Sequence, residues 1–390
     1  MGALTANLGN VMMVSADRSV VAGERGPFHY MLESFSRHWD RVDVIGTRPA
    51  TVEQRCVFGN VHLHHPTTGK LRQAGFIAKT GRALAAERDY TVITSHDYNP
   101  FYNGLGSWRI SRATGIPYVA EIHHVPGHPR PADLRERFDK PATRAYVRWA
   151  ASRAAGFRVV NGVELPSLLR SWGVADERIH VLTSLYLDLD IFKPAPTPQP
   201  ATCDLLFVGR LVPNKGVLEI VRALPLLADA GLPDLTLRLL GRGPQQAPIL
   251  DEARRLGVFD RIDHIDWVPD AEALAEVYRS ARVLVCASTS EGGPRVVPEA
   301  MACGTPSAST SVGIVSELID HGRNGLVFDG SAADLATKLQ PVLADPTREA
   351  AMRAELATGD LSRFDRDTVI AGLADGLKAI AADYRASPPD

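Results

Sequence analysis

Short apolar runs alternate with amphipathic stretches along most of the chain, and no other feature of the sequence constrains its fold as strongly. A strand, a covering helix and the next strand form a unit whose two strands lie parallel, so the alternation predicts parallel sheets with helices on both faces. At 390 residues, the chain is too long for one ordinary core and fits two domains of roughly 150 to 200 residues each.

The first half of the chain contains the first of these alternating patterns. Its predicted strands are Val11 to Ser15, Val42 to Gly46, Val57 to Leu63, Val92 to Ser95, Pro117 to Ile122 and Phe157 to Val160. Its predicted helices include Phe28 to His38, Lys70 to Glu87 and Ala142 to Ala155.

The pattern breaks at Asp190 to Thr202, where four prolines lie close together. Such a segment cannot continue a helix or a central strand, and we interpret it as a linker. The predicted organisation is an N-terminal domain over 1–189, a linker over 190–202, a C-terminal domain over 203–365 and a final helix over 366–390. A cleft between two such domains is where a small-molecule site is most often found.

After the linker the alternation restarts and predicts a second doubly wound unit. The predicted strands are Leu205 to Gly209, Leu235 to Leu240, Ile262 to Asp266, Val283 to Ala287, Thr305 to Ser309 and Leu326 to Phe328. The predicted helices are Val217 to Ala230, Ala247 to Leu256, Ala271 to Ser280, Val297 to Ala302, Val315 to Asp320 and Ala332 to Leu343, followed by a last one over Asp367 to Ala386.

The composition narrows the class of protein. Hydrophobic content of 45% and charged content of 23% are typical of a globular protein and not of a disordered or fibrous one. No apolar run approaches the roughly 20 residues that span a bilayer, and the first ten residues lack the pattern of a signal peptide, so we expect a cytoplasmic protein. The four cysteines are far apart and indicate neither a zinc site nor a disulfide framework.

The stretch from Ser288 to Pro306 has the layout of a binding site. Glu291 precedes two glycines and Pro294, and Glu299 follows at the head of a predicted helix. The turn comes directly after a predicted buried strand, at the edge where open parallel sheets bind ligands. Glycines let amide groups approach a ligand closely, and the two carboxylates could hold sugar or ribose hydroxyls. Solvated side chains are the alternative.

A second motif, Gly209 to Gly216, follows the first strand of this half and leads into a helix. Its Arg210 and Lys215 lie close to the predicted helix N-terminus. Two cations there suit a diphosphate through charge-assisted hydrogen bonds and the helix dipole. A solvated loop with two surface cations is an equally good interpretation of this motif alone.

In the first half, His123 and His124 end a predicted strand. A histidine there can bind substrate or transfer a proton, although a lone histidine is more often structural. Gly23 and Gly26, after the first strand, could bring amide groups to a phosphate, but a dinucleotide fingerprint is absent. The D-x-D of Asp188 to Asp190 borders the linker, and we interpret its aspartates as solvated or capping rather than metal-binding.

Taken together, these motifs resemble a known family. The E-x7-E from Glu291 to Glu299 running into E-A-M-A-C-G-T-P, the G-R-L…K-G of Gly209 to Gly216 and the D-x-F-x-P of Asp190 to Pro194 are similar to those of the retaining family-four glycosyltransferases of GT-B fold. The resemblance covers most of the chain and is strongest from about residue 203 to 330. It implies an α/β fold of two doubly wound, Rossmann-like domains that face each other across a cleft, with the last helix crossing back onto the N-terminal domain.

The resemblance also implies an activity. A nucleotide diphosphate sugar, UDP-sugar before GDP-sugar, would bind the C-terminal domain, and a hydroxyl acceptor (a sugar, glycolipid or small molecule) the N-terminal one. A hexose-type sugar would pass to the acceptor with retained configuration, in glycan, glycolipid or polysaccharide biosynthesis. The leaving diphosphate would accept the proton in a front-face mechanism. We expect no cofactor, no metal and no nucleic-acid partner.

By position in the family's motifs, the resemblance assigns the site residues. The catalytic set is His123, Glu291, Arg210 and Lys215. The donor-binding set is Gly209, Arg210, Lys215, Glu291, Gly292, Gly293, Pro294, Arg295, Val296 and Glu299, together with Gly23 and Gly26 in the first turn. The sequence departs from the family at Ala22, where many members have glycine, at 183–186 before the linker, and at Ile314 in place of a second glycine.

Other interpretations stay open at this point. The same fold suits a nucleotide-sugar epimerase or hydrolase, or a non-catalytic nucleotide-sugar-binding protein. Between Arg130 and Arg158, eight Lys or Arg face three acids, with Tyr146, Val147 and Trp149 among them. Our hypothesis is that this segment makes peripheral contact with anionic lipid at the inner face of the membrane. A plain solvated helix face is the alternative.

Overall fold

Two twisted sheets, one in each half of the chain, form the framework of the protein. The computed structural model describes residues 8–197 and 200–386. Parts of three predictions, at residues 1–7, at linker residues 198 and 199 and at 387–390 of the last segment, lie outside the described residues.

The first sheet has eight strands in the order β3-β4-β2-β1-β5-β6-β7-β8. They are β1 (Asn10–Val14), β2 (Arg41–Ile45), β3 (Cys56–Val57), β4 (Val61–His64), β5 (Val92–His96), β6 (Tyr118–Ile122), β7 (Gly156–Val159) and β8 (Ile179–Val181). All pairings are parallel except that of β3 with β4. The strand order reverses between β1 and β5, which makes the carboxyl ends of these two strands a ligand-binding position.

Five α-helices accompany the first sheet in the described part of the chain. They are α1 (Pro27–Phe35), α2 (Gln73–Glu87), α3 (Tyr102–Thr114), α4 (Leu134–Ala150) and α5 (Glu164–Ser171).

The second sheet has six parallel strands in the order β11-β10-β9-β12-β13-β14. They are β9 (Cys203–Val208), β10 (Leu237–Leu240), β11 (Ile262–Ile265), β12 (Ala281–Cys286), β13 (Ser307–Thr310) and β14 (Gly325–Phe328). The order reverses between β9 and β12, so the second candidate ligand position lies at the ends of those strands.

The remaining α-helices follow the linker. They are α6 (Val217–Asp229), α7 (Gln246–Arg255), α8 (Ala271–Arg279), α9 (Val296–Ala302), α10 (Ala332–Ala344), α11 (Pro346–Thr358) and α12 (Arg366–Ala386).

In the sequence, the central strands are unbroken apolar runs because both of their faces are buried in the fold. In β1, Val11 and Met13 pack into one apolar cluster while Met12 and Val14 pack into another on the opposite face. The same alternation holds in β9, and four apolar clusters together cover the two faces of both sheets. This explains why the fold class could be read from the sequence.

Helix α12 crosses back onto the first half of the chain, as predicted. Its Leu373 and Leu377 pack into the cluster that holds Phe35 and Trp39. The ammonium group of Lys378 lies 4.7 Å from the centre of the Trp39 ring and donates a hydrogen bond of 2.9 Å to the carbonyl of residue 38. Helix α12 therefore completes an apolar cluster of the first half of the chain.

Three predicted elements differ from the structure. The run Val57 to Leu63 is not one strand but the hairpin β3–β4, because Phe58 and Gly59 adopt positive φ angles of 52° and 79° and reverse the chain. Helix α4 begins well before Ala142, because the Asp133 side chain accepts the Glu136 amide at 2.9 Å and caps the helix. The predicted helix Val315 to Asp320 is a short 3-10 helix, Gly313–Glu317.

None of the described helices is long and apolar enough to span a bilayer.

Candidate active site

The loops that follow β9 and β12 touch at the reversal point of the second sheet. A Cβ added to Gly216, whose φ is 65°, would lie 2.2 Å from the carbonyl oxygen of Ala287. The Thr289 amide donates a 2.8 Å hydrogen bond to the Asn214 carbonyl. Only glycine fits such a close approach at a left-handed position. The Gly209 to Gly216 motif and the Ser288 to Pro306 stretch are thus one structural unit.

An ion pair links these two loops. The Lys215 ammonium contacts the Glu291 carboxylate, and the two side chains are 19% and 18% exposed. The Ser288 hydroxyl also donates to Glu291, at 3.1 Å. Arg210 is exposed nearby, and within the described ranges no hydrogen bond or ion pair engages its guanidinium. The site therefore holds one paired cation and one open cation.

Glu299 lies deeper than its predicted partner Glu291. It is 5% exposed, and its carboxylate accepts hydrogen bonds from the Tyr278 hydroxyl at 2.8 Å and from Arg295 at 3.3 Å. Burial raises the pKa of Glu299. The Arg295 guanidinium in turn lies 4.7 Å from the centre of the Tyr186 ring. A ligand hydroxyl that reached Glu299 would share the carboxylate with Tyr278 and Arg295.

The glycine turn forms the closest contact between the two halves. A Cβ on Gly292 would lie 1.7 Å from the carbonyl oxygen of His123, and the Asn161 side chain donates a 3.0 Å hydrogen bond to the Gly292 carbonyl. Because no side chain fits between the two segments, Gly292 allows the carboxyl ends of the two sheets to meet. The structure therefore brings the predicted donor turn and the predicted histidine together.

Two reciprocal hydrogen bonds strengthen this contact. The Gly162 amide donates to Glu317 and the Gly313 amide donates to Glu164, each at 2.8 Å. Each half thus supplies one amide and one carboxylate. Burial raises the pKa of Glu164 to about 7. The contact between the halves includes a carboxylate that titrates near neutral pH.

His123 belongs to a cluster built on three neighbouring strands. His96 of β5 is in register with Glu121 of β6, and Glu121 is in register with Arg158 of β7. One carboxylate oxygen of Glu121 lies 2.7 Å from His96 Nε2, 2.9 Å from His123 Nε2 and 2.8 Å from Arg158. Thr94 donates to the other oxygen.

The cluster determines the protonation of Glu121 and His123. Burial opposes ionisation of Glu121, but Arg158 and the two imidazoles outweigh it and hold the pKa of this carboxyl well below its usual range. Burial and the neighbouring His96 lower the pKa of His123 to about 4. His123 is therefore a neutral imidazole at neutral pH, and its Nε2 donates to the Glu121 carboxylate.

The same cluster has the spacing of a metal site. The ligand atoms of His96, Glu121 and His123 lie within 4.8 Å of one another. However, the shared carboxylate oxygen already accepts from Arg158, which is 3% exposed, and a fixed cation beside that oxygen opposes binding of a second one. The arrangement suits a hydrogen-bonded cluster, and the expectation of a metal-free enzyme stays a prediction.

A cavity of about 430 Å³ opens at the ends of β1, β5 and β6, where the first sheet reverses its strand order. It is lined by Ser15, Ala16, Asp17, Phe28, His96, Asp97, Tyr98, Asn99, Phe101, Glu121, His123, His124, Pro126 and Thr143. Burial lowers the pKa of His124, whereas the charge of Glu291 across the cleft acts in the opposite direction. The charges of the second half thus act on a residue that lines the cavity.

Two predicted residues do not line this cavity. Neither Gly23 nor Gly26 is among the residues that line the cavity. Gly23 ends a short 3-10 helix, where a Cβ would lie 2.6 Å from the Glu53 carboxylate, and Gly26 precedes α1. Their predicted role in donor binding stays untested. The first turn contributes Asp17 to the cavity instead.

Sequence reasoning missed most of the residues around His123. Asp17, His96 and Asp97 were not singled out, although the S-H-D of 95–97 directly follows a predicted strand at a sheet edge. Position at a strand end was the available signal. Glu121 and Arg158 had none, because they lie inside strands and meet only through the order of β5, β6 and β7.

The basic segment 130–158 is mostly helix α4, and the three residues expected among its cations, Tyr146, Val147 and Trp149, do not face outward. Tyr146 and Val147 are 6% and 0% exposed and belong to the core, against which Trp149 packs. The large apolar side chains that α4 does expose are Leu134 and Phe138. The expectation of interleaved aromatics on a lipid-facing surface is wrong for these three residues.

Models of two protein families match the chain, one in each half. A model described as Glycosyl transferase 4-like domain matches residues 28–183, and one described as Glycosyl transferases group 1 matches residues 193–357. Among curated relatives, a D-inositol 3-phosphate glycosyltransferase of Thermobispora bispora is 32% identical over 308 residues, which are 73% of this chain and 70% of the relative. A 2-deoxystreptamine glucosyltransferase of Streptomyces kanamyceticus is 32% identical over 265 residues, or 64% of this chain and 66% of the relative.

Solved structures agree on the fold. Sucrose-phosphate synthase from Thermosynechococcus elongatus superposes with a TM-score of 0.80 at 20% identity, over 96% of this chain and 100% of that one. HepE from Anabaena, in complex with UDP and glucose, superposes with a TM-score of 0.74 at 20% identity, over 95% of this chain and 100% of that one. With both halves matched by glycosyltransferase models and a relative at 32% identity, the chain belongs to the family-four glycosyltransferases of GT-B fold.

Proposed function

We propose that this glycosyltransferase is a retaining enzyme that moves a hexose-type sugar from a nucleotide diphosphate sugar to a hydroxyl acceptor, in glycan, glycolipid or polysaccharide synthesis. The observation that carries the proposal is the Lys215–Glu291 ion pair beside the open Arg210, at the point where Gly292 touches His123. Cations, a carboxylate and an imidazole meet there within one interdomain contact.

Arg210 and Lys215 are the groups that would bind the donor diphosphate. Both precede α6, which begins at Val217, so the helix N-terminus adds its partial positive charge. Negative charge grows on the diphosphate as it leaves, and preorganised cations stabilise such charge most strongly in a site that excludes water. When the diphosphate engages Lys215, the Glu291 carboxylate becomes available to the hydroxyls of the donor sugar.

His123 is suited to hold the sugar rather than to remove a proton. Its Nε2–H is committed to Glu121, which leaves Nδ1 as an acceptor for a sugar hydroxyl. With a pKa lowered to about 4, the imidazole is a weak base at neutral pH. This supports a mechanism in which another group takes the acceptor's proton.

The proposed reaction is a front-face displacement. The bond between the anomeric carbon and the diphosphate oxygen breaks, and the acceptor oxygen forms a new bond on the same face of the sugar. The acceptor's proton passes to the departing diphosphate. No cofactor or metal enters this scheme, and the cations Arg210 and Lys215 balance the charge on the leaving group.

The proposed donor is supported by the family resemblance and by one structural neighbour. The resemblance favours UDP-sugars over GDP-sugars, and the structural neighbour HepE was solved with UDP and glucose. At 20% identity that neighbour supports the fold, so the donor base of this chain is a proposal. The acceptor would occupy the cavity of about 430 Å³ that ends at His123 and His124.

A thermal-shift screen over UDP, GDP, ADP and their sugars tests the donor, because a ligand that binds only the native state raises its melting temperature. Product analysis by NMR then tests the reaction. We expect a new glycosidic bond with the donor's anomeric configuration. An inverted product would overturn retention, free sugar or an epimer would favour a hydrolase or epimerase, and binding without turnover would favour a nucleotide-sugar-binding protein.

Peripheral membrane contact is a separate part of the proposal. Its support is the cluster of cations on and around α4, which includes Arg135, Arg137 and Arg144, next to the exposed Leu134 and Phe138. Co-sedimentation with vesicles should increase with anionic lipid content. Binding that is indifferent to that content would contradict the proposal.

A further inference from the structure

We propose that the acceptor is a small ring polyol without a phosphate group, either neutral or carrying an amine. The inference rests on the proposed function, because it assigns the chemistry of the acceptor to the cavity beside His123. It goes beyond that function because nothing in the activity itself fixes the charge of the acceptor.

The first observation is the set of side chains that line the cavity. Among the described residues that form it, none is Lys or Arg, whereas Asp17, Asp97 and Glu121 are carboxylic acids. Phe28, Tyr98 and Phe101 supply aromatic surface. Apolar rings with a few polar groups are typical of a site for a small neutral ligand. A phosphate dianion would find no lysine or arginine in this lining.

The second observation concerns the histidines. Burial lowers the pKa of His124 and, with His96, lowers that of His123 to about 4. Neither imidazole carries a positive charge at neutral pH. His96 is held by the Glu121 carboxylate at 2.7 Å. The rings of His123 and His124 therefore offer hydrogen bonds to hydroxyls rather than charge to a phosphate, whereas His96 is paired with the Glu121 carboxylate.

The cations near the lining have other roles or partners. The charges of Lys215 and Arg210 act on His124, but these are the two groups proposed to bind the donor diphosphate. Arg158 is buried under Glu121 and donates to the carbonyl of residue 182 at 2.9 Å. Arg18 lies outside the lining, and its Nε donates to the Thr47 hydroxyl at 3.0 Å. A phosphate in the cavity would have to draw Arg158 or Arg18 away from its partner or compete with the donor diphosphate for Lys215 and Arg210.

Asp17 is the carboxylate that favours an amine. One of its oxygens accepts from the Ser19 amide and hydroxyl at 2.9 and 2.7 Å, and the described part of the chain gives its other oxygen no hydrogen bond. Asp97 differs, since its oxygens accept from Ser95 and Tyr146 and burial raises its pKa to about 8. The free acceptor oxygen at the cavity is thus on Asp17.

A neighbouring cavity has the opposite character. About 370 Å³ in volume, it includes Arg137, Lys140 and Arg144 of α4 in its lining. Thr143 of the same helix lines the acceptor cavity, so the two cavities flank α4 and present different charges. An anionic group on the acceptor would be drawn to the basic cavity and away from His123.

The test compares rings that differ only in charge. With the donor found by thermal shift, transfer is measured to glucose, glucosamine and glucose 6-phosphate, and to myo-inositol and its monophosphate. We expect kcat/KM for each phosphorylated ring to be at least tenfold below that of its unphosphorylated counterpart. A phosphorylated ring that is used equally well or better would overturn the inference, as would donor hydrolysis without transfer to any of these rings.

Two variants test directly how the charge of the cavity lining affects the choice of acceptor. Asp17→Asn should lower kcat/KM for glucosamine relative to glucose by about fivefold, because it removes the carboxylate that faces the amine. Ala16→Lys adds a cation to the lining and should raise kcat/KM for glucose 6-phosphate relative to glucose. Unchanged ratios in both variants would show that the acceptor binds outside this cavity.

The donor assays separate this inference from the proposed function. Nucleotide-induced thermal shifts and donor hydrolysis without acceptor depend on the second half of the chain. If they are normal while phosphorylated rings are preferred, only the acceptor assignment fails. If no nucleotide sugar binds, both proposals fail.

Discussion

The ammonium group of Lys215 contacts the carboxylate of Glu291 and joins the loop after β9 to the loop after β12. The proposed reaction needs these two groups for different partners, the cation for a diphosphate and the carboxylate for sugar hydroxyls. The ion pair therefore holds the two loops together before the donor binds, and donor binding would exchange one interaction for two.

Replacement of either member of the pair should abolish most of the transfer. Lys215→Ala and Glu291→Ala should each lower kcat/KM by about a hundredfold or more, since each removes charge stabilisation or sugar positioning in the transition state. Because both residues are in loops, melting temperatures should stay near that of the wild type. Steady-state kinetics measure the effect, and near-normal turnover in either variant would overturn the site assignment.

Matched controls and one further variant sharpen this prediction. The exposed Lys79 and Glu272 lie on α2 and α8, and their alanine variants should keep full activity. Glu291→Gln frees Lys215 from its partner and should therefore bind UDP at least as tightly as the wild type while transfer falls. Weaker UDP binding by this variant would show that Glu291 does not compete with the diphosphate.

Gly292→Ala should separate the two halves without unfolding them. The new Cβ would lie 1.7 Å from the His123 carbonyl, but each half has its own apolar clusters. We expect at least a tenfold loss of transfer and a larger radius of gyration by small-angle scattering, with circular dichroism unchanged. Gly372→Ala, where nothing lies within 4 Å of the new Cβ, is the control. An active and equally compact Gly292→Ala variant would show that transfer does not depend on this close approach.

The pH dependence of stability should report Glu164. Its pKa is raised from 4.5 to about 7 in the folded protein, so the folded state binds this proton more tightly than the unfolded chain. The contribution of Glu164 to stability is thus greatest at low pH and declines as the pH rises from about 4.5 to 7. Glu164→Gln cannot ionise, and its amide oxygen can still accept the Gly313 amide.

The melting temperature of Glu164→Gln relative to the wild type should therefore increase between pH 5 and pH 8. Differential scanning calorimetry at several pH values in this range measures the difference. If the difference is constant across the range, the carboxyl is not buried against the second half as described.

The Glu121 cluster should be important for stability. Glu121→Gln keeps the shape of the side chain but leaves Arg158, which is 3% exposed, without its counter-ion. An uncompensated buried charge costs about 3–5 kcal/mol, which chemical denaturation can measure. The surface pair of Arg254 and Asp251, 54% and 72% exposed, is the control, and Asp251→Asn should cost less than about 1 kcal/mol. Equal effects of the two variants would contradict a buried ionic cluster.

The sheets were predictable from the sequence because their central strands are buried on both faces, which leaves an unbroken apolar run such as that of β1. Helix α3 was not predicted because it lacks a clear apolar stripe. Its small residues serve close packing against α2 instead. A Cβ on Gly106 would lie 2.6 Å from the Ile77 side chain, so small residues let α3 approach α2 closely. The turn inside Val57 to Leu63 carried a local signal, the glycine at 59, which the apolar run concealed.

The candidate site was predictable only where its residues follow a strand end. Lys215 and Glu291 lie in such loops and do meet. The burial of Glu299 depends on Tyr278, which reaches it from α8, and no spacing in the sequence reveals that approach. The Glu121 cluster likewise arises from strand order, since His96, Glu121 and Arg158 lie on three different strands.

The return of α12 to the first sheet has a consequence for synthesis on the ribosome. Val11, Met13 and Trp39 belong to a cluster that also requires Leu373 and Leu377. The face of the first sheet that this cluster covers therefore stays partly exposed until α12 has been translated. Until then the first half exposes apolar surface, and transiently exposed apolar surface makes a partly folded chain prone to aggregate.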